Sequence, residues 1–194
     1  MLAVLFSALF LAAGCTKSGT DASAPSSGDA IPVTSDARCT SERPPAEPGF
    51  VVVTLYYTCE DDPLPATPRP VFRKVKAEEW TPQLAMEELL KGPTPEERKR
   101  GFWSWFGPET AGMLNRVTVT ESGLVIVDFK DFSEVIPNAS TTAGSGQLMR
   151  ELGMTLAQFE EITEIEYRFD GDCQAFSEWL PHGECQVVPA SQYR

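Results

Sequence analysis

The chain has 194 residues, 42% of them hydrophobic, and a formal net charge of -12, enough for one ordinary domain with a real core plus flanking segments. From Phe50 onward 23 Asp and Glu stand against 13 Lys and Arg, so the acidity belongs to the part that folds. That balance excludes a nucleic-acid surface, whose phosphates select Lys and Arg stripes, and describes an acidic, solvated exterior.

The first stretch, MLAVLFSALFLAAGC, carries no charged side chain. An apolar run of ~14 residues is short for a ~30 Å hydrocarbon core but suits the hydrophobic region of an export signal. It ends in Ala12-Ala13-Gly14-Cys15. This ending resembles the lipobox of bacterial lipoproteins, in which small residues precede a cysteine that is diacylated on sulfur and becomes the new N-terminus. Leu11 stands one place earlier than that family favours, and no Lys or Arg precedes the run. An ordinarily cleaved secretory signal is the alternative. Residues 1–14 are thus expected to be a lipoprotein signal peptide and Cys15 the lipidation site, holding the chain on the extracytoplasmic side of the cell membrane.

From Thr16 to Gly49 the chain is Ser, Pro, Gly, Ala and Asp with almost nothing to bury. Such a segment cannot offset its ordering entropy, so residues 15–49 are expected to be the lipidated cysteine and a flexible tether. Apart from Cys15 the cysteines are Cys39, Cys59, Cys173 and Cys185, an even number in an exported chain. Three pairings are open. Cys39 with Cys59 and Cys173 with Cys185 is preferred, because each closes a short local loop and contributes on the order of 3 kcal/mol. A zinc site from the same four lacks CxxC spacing, and export favours oxidation. With Cys39 pinned, the free tether is Thr16 to Arg38, with a reach of ~25–30 Å.

The run VVVTLYY, Val51 to Tyr57, is β-branched and aromatic, and reads as a strand covered on both faces, with Val71 to Val75 a second strand beyond a Pro-rich acidic connection. A helix then opens at Thr81 as N-cap with Pro82 in its first position, repeats Ala85/Leu89 and Met86/Leu90 at i+4, and stops at Gly92-Pro93. Thr94-Pro95-Glu96-Glu97 has capping-box spacing for a short second helix ending at Gly101. Val117 to Phe129 reads as a hairpin turning at Glu121 to Gly123. Ser145 is expected to cap a helix carrying Leu148, Leu152, Leu156 and Phe159 on one face. In the last core strand Ile165, Tyr167 and Phe169 alternate with Glu164, Glu166 and Arg168 up to Asp170-Gly171. Residues 172–194 read as a disulfide-closed excursion and a tail. The order is too irregular for a doubly wound sheet and predicts an α+β fold, a mixed sheet of about five strands with two or three helices packed against it.

VTLYY, LLKGPTPEERKRG, RVTVTESGLVIVDF and MTLAQFEEITEIEYRFDG together resemble the GerMN domain of spore-germination and actinobacterial envelope lipoproteins. The GPTP-EE-G element and the TLxQF…F-x-x-DG ending are the most distinctive parts, and the resemblance covers residues 50–171. It implies a compact ring-building-like module used in assembly or regulation outside the membrane, with no catalytic residues to carry over. The sequence reads as one copy rather than a tandem, without the immunoglobulin-like domain that often follows and with paired cysteines added, so a role in spores is not expected to transfer safely.

Catalytic chemistry finds little purchase. A Ser-His-Asp triad would need His182, the single histidine, with Ser145 as nucleophile, but Ala143 replaces the first Gly of a G-x-S-x-G elbow. Carboxylate pairs Asp128/Asp131 and Asp170/Asp172 sit where acidic residues ordinarily meet solvent. Glu60-Asp61-Asp62 and Asp170-Gly171-Asp172 offer oxygen ligands but lack the spacing of a known calcium loop. Neither an enzyme, a metal nor a cofactor is expected. In GFWSWFGP, Gly101 to Pro108, the rings either fill the core or leave Trp103 and Trp105 as a partner patch for a protein or sugar chain. The function expected is a non-catalytic, lipid-anchored envelope module that presents its domain to an extracytoplasmic protein or cell-wall partner. A cell-wall-fragment sensor or peptidoglycan-active enzyme, and a homo-oligomeric scaffold joined at sheet edges, are the alternatives.

Overall fold

The computed structural model describes residues 38–63, 66–181 and 183–194, all within one unit, Val33–Arg194. The signal segment, Cys15 and the tether as far as residue 37 lie outside the described residues, as does His182. Strands β1 (Val51–Cys59) and β2 (Arg69–Val75) pair antiparallel, with Val51 opposite Val75 and Tyr57 opposite Arg69, and β3 (Phe102–Trp103) joins the other edge of β1 at Thr58 and Cys59. A second sheet has the order β4 (Leu114–Val119), β5 (Leu124–Phe129), β6 (Glu164–Phe169), β7 (Val187–Pro189). Within it β5 and β6 run parallel, and the outer pairs are antiparallel. A parallel pair needs a crossover. Helix α3 (Thr142–Ala157) provides it, and α1 (Pro82–Leu90), α2 (Pro95–Lys99) and α4 (Cys173–Trp179) are the other α-helices among the described residues.

The α+β class expected from the sequence is the one found. Its strands are divided between two sheets, seven in all among the described residues, rather than the single sheet of about five. Two of them, β3 and β7, have two and three residues, too few for alternation to show in a sequence. The division itself has a cause in α3. Side chains of Thr155 and Glu151 accept from the Tyr56 and Thr58 N–H groups (3.3 and 3.2 Å), and Gln158 Nε2 donates to Thr54 O (2.9 Å). The helix thus occupies the edge of β1 along which a further strand would run.

Alternation and helical period place the core. Val53, Leu55 and Tyr57 from β1, Met86, Leu89 and Leu90 from α1, Leu148, Leu152 and Leu156 from α3, and Ile165, Tyr167 and Phe169 from β6 are all buried. The predicted caps hold: Thr81 accepts from Leu84 N–H, and Thr94 with Glu97 forms the full capping box. Three expectations change. Helix α3 begins at Thr142 with Thr141 as N-cap, so Ser145 lies inside its first turn and donates to Thr142 O. Residues 172–194 are closed by the Cys173–Cys185 disulfide as expected, but they also join the core: β7 pairs with β6, and Phe176 and Leu180 are buried, Phe176 in an aromatic cluster with Phe129, Phe169 and Trp179. Within the expected tether, residues 38–49 are fixed beyond the pinning of Cys39: Ser41 Oγ accepts from Phe72 N–H on the outer edge of β2, and Cys39 N–H donates to Arg100 O.

The GPTP element folds around one buried ion pair. Glu97 accepts from Arg73 Nε (2.9 Å) and Nη2 (2.5 Å) and from Thr94 N–H (2.7 Å). Arg73 also donates to the carbonyls of Glu88 (3.2 Å) and Gly92 (2.8 Å) and lies over the Tyr57 ring. Burial pushes the Glu97 carboxyl up, but the Arg73 guanidinium outweighs it and holds the group below the usual carboxylate range. The Tyr57 hydroxyl donates to Leu89 O (3.0 Å) and so caps the end of α1.

Removing one partner of such a pair leaves a buried charge stranded. Glu97→Ala is expected to cost about 3–5 kcal/mol in urea unfolding, and adding Arg73→Met to recover part of that loss. Gly92 has φ +68, and a Cβ there would lie 2.1 Å from Phe106 O. Gly92→Ala should therefore cost about 3 kcal/mol or more, against about 1 kcal/mol for Gly112→Ala, where φ is +78 but nothing lies within 4 Å.

Candidate functional site

The segment after α2 sorts its side chains by period two. Phe102, Ser104 and Phe106 are buried, at 2%, 6% and 1% exposure, while the intervening Trp103 and Trp105 are only half-buried. The two Phe rings enter the core and the two indoles line a cavity of about 370 Å³ at the C-terminal end of β1. The first turn of α3 forms its opposite wall through Thr141, Ala143 and Gly144. The indole centroids are 4.7 Å apart with planes at 72°, a corner rather than a stack. Trp105 Nε1–H is shut off from solvent and has no acceptor among the described residues.

Behind the cavity lies Glu151, fully buried on α3. Its carboxylate accepts from Thr58 N–H (3.2 Å), Thr58 Oγ1 (2.9 Å), Gln147 Nε2 (3.1 Å) and Ser104 Oγ (2.5 Å). Desolvation pushes its pKa from 4.5 up to about 7, against the downward pull of the hydrogen bonds from Ser104, Gln147 and Thr58. Through these bonds one carboxyl joins α3, β1 and the Trp-bearing segment.

At the rim the acidic triplet is paired with arginine. Asp62 is held bidentate by Arg69 Nη2 (2.8 and 2.9 Å), Asp61 pairs with Arg38, and Glu60 lies 3.8 Å from Arg38. Cys59, on the cavity wall, is bonded to Cys39, and Cys173 is bonded to Cys185.

A family model described as "Germane: Sporulation and spore germination" matches residues 54–173. The chain belongs to the Germane family. Its fold is similar to the tandem GerMN domains of the sporulation protein GerM from Bacillus subtilis, with a TM-score of 0.52 and 16% identity over 77% of this chain and 48% of that one. This chain therefore spans about half the length of that tandem. The first GerMN domain of the same protein aligns with a TM-score of 0.44 and 20% identity, over 63% of this chain and 84% of that one. No curated protein matches the chain.

Within this Germane domain the residues singled out by sequence fall into three groups. Trp103 and Trp105 come together at the cavity, and Cys59 with Asp62 joins them there. Ser145 is buried within α3 and Asp128 accepts from Gly171 N–H (2.7 Å), while Asp172 caps α4. Asp170 accepts from Asn115, and Asp131 from Ser133 N–H. Among the described residues no group of three or more His, Cys, Asp or Glu is arranged to hold a metal ion. Sequence reasoning missed Glu151, Gln147 and Ser104. Gln147, Glu151 and Thr155 repeat at i+4 beside the Leu148/Leu152/Leu156 stripe, a polar ladder readable as a face meant for a strand edge.

Glu151 sets a pH signature. Its pKa is higher folded than unfolded, so the stability it contributes is complete below pH 4.5 and is lost as the pH climbs to about 7. Glu97, held low, contributes in the opposite sense: its stabilisation is complete above its ordinary value of 4.5 and is lost as the pH falls from there through its lower folded value. The Germane domain is expected to be most stable near pH 4.5–5 and to lose on the order of 3 kcal/mol of Glu151's contribution by pH 7.5. Urea midpoints measured from pH 4 to 8 should show this fall, and Glu151→Gln should flatten it between pH 4.5 and 7.

Proposed function

We propose that this Germane domain is a non-catalytic binding module, tied by acylated Cys15 to the extracytoplasmic face of the cell membrane, which receives a partner in the cavity between Trp103, Trp105 and α3. The observation that carries the reading is the sorting of the aromatic segment. Two indoles stay at a surface cavity while Phe102 and Phe106, their immediate neighbours, are buried. Trp is enriched among the residues that carry binding energy at interfaces, and aromatic side chains line ligand cavities.

Binding rather than bond-making is supported by what the nearby polar groups already do. Glu151 accepts four hydrogen bonds, Asp62 is clamped by Arg69, and Ser145 is turned into its own helix. A catalytic group needs a lone pair or proton free to reach substrate. The tether and lipid follow from the Cys15 sequence, and no helix of the described residues is long and apolar enough to cross a membrane.

A photo-crosslinking side chain placed at Trp103 in membrane preparations is expected to trap a discrete envelope partner, with the same side chain at exposed Val119 of β4 trapping none. Cys15→Ala should release the chain from the membrane without changing its melting temperature. Equal labelling from both positions would remove the cavity as the docking site. An adduct at twice the mass of the chain would replace partner docking by self-assembly.

A further inference from the structure

The cavity's chemistry narrows what it holds, on the reading that it is a docking site. Trp103 and Trp105 meet at 72° with centroids 4.7 Å apart, so one indole face forms a floor and the other a wall. A flat floor of this kind suits a ring whose face is made of C–H groups. The polar wall is acceptor-rich: Glu60 and Asp62 contribute carboxylates, and Gln147 is oriented by the bond from its Nε2 to Glu151 Oε1 (3.1 Å). Such groups suit a ring whose edge bears hydroxyl donors.

Charge then separates the candidates. Asp62 is already paired with Arg69 and Glu60 with Arg38. A cationic ligand would find each carboxylate already contacted by an arginine, while an anionic one would face the one negative charge by which the three rim carboxylates exceed Arg38 and Arg69. A neutral ligand meets neither obstacle, and it still finds acceptors, since a carboxylate has lone pairs beyond those an arginine takes. At about 370 Å³ the cavity is within the size range of small-ligand sites.

We infer that the Trp103/Trp105 cavity is a site for a neutral saccharide, one sugar ring seated on an indole face with its hydroxyls donating to Asp62, Glu60 and Gln147. Trp103 gives the stacking face and Asp62 an acceptor whose position is fixed by Arg69. Glu151 touches no ligand and acts by orienting Gln147 and Ser104 from behind.

The test uses the purified full chain on a glycan array of neutral, acidic and amino sugars, followed by titration of the responding oligosaccharides against tryptophan fluorescence. Neutral glycans should bind and quench. Trp103→Ala should weaken them at least about tenfold, Trp103→Phe should restore part of the affinity, and Asp62→Asn should weaken binding while leaving the melting temperature within a few degrees. Should Trp103→Ala fail to fold, the Phe and Asn variants decide. Binding confined to acidic or amino glycans, or no glycan binding at all, overturns the saccharide assignment. If the Trp103 crosslink to an envelope partner persists in that case, the docking reading survives without the sugar, and if it is absent too, both fall.

Discussion

The ion pair between Arg73 and Glu97 is the constraint on which the arrangement rests. Two opposite charges taken out of water gain little unless every remaining donor and acceptor is also used. Here they are used: Arg73 reaches the carbonyls at the end of α1 and at Gly92, and Glu97 closes the capping box of α2. The pair thereby fixes the angle between α1 and α2, and with it the point at which the chain enters β3. Gly92 completes the arrangement, because the backbone of Phe106 approaches so closely that no side chain fits between them. The aromatic segment is held at both ends, and the two indoles are left lining the cavity.

Helix α3 does the second structural task with the opposite kind of side chain. One stripe, Leu148, Leu152 and Leu156, enters the core; the adjoining stripe, Gln147, Glu151 and Thr155, replaces a neighbouring strand along β1. An open strand edge invites pairing with other chains, and covering it with a helix is one of the ways proteins close it. The closure rests on a buried carboxyl whose proton affinity is raised to near neutrality. Because Glu151 also binds Ser104, between the two cavity tryptophans, the state of that one group bears on the edge and the cavity together.

Much of this was legible in the residues. Thr81, Thr94 and Glu97 announced their caps, the Leu148/Leu152/Leu156 stripe announced α3, and Ile165/Tyr167/Phe169 announced the half-buried β6, since each signal is local and repeats with the period of its element. Loop length favoured the cysteine pairing that is found, although the sequence left three pairings open. What stayed hidden depends on partners distant in sequence. Nothing near Arg73 marks it as the partner of Glu97, and Ser145 looked like a cap because Thr141, the true one, precedes a stretch poor in apolar residues. Residues 172–194 read as peripheral because β7 is too short to show a pattern and Phe176 is covered only once α4 is laid on β6. Residues 38–49 carry no apolar run, yet a disulfide and polar contacts fix them. For the cavity, sequence supplied Trp103 and Trp105 but left open whether they faced inward.

The Cys39–Cys59 bond gives the domain a mechanical character. A pull on the segment before Cys39 crosses sulfur directly to the last residue of β1, so the chain from 40 to 58, most of β1 included, lies outside the covalent path of the load. Tension therefore arrives beside the β1–β3 junction rather than peeling β1 from its first residue. Reduction of that bond would reroute the same tension through residues 40–50 and into β1 from its first residue.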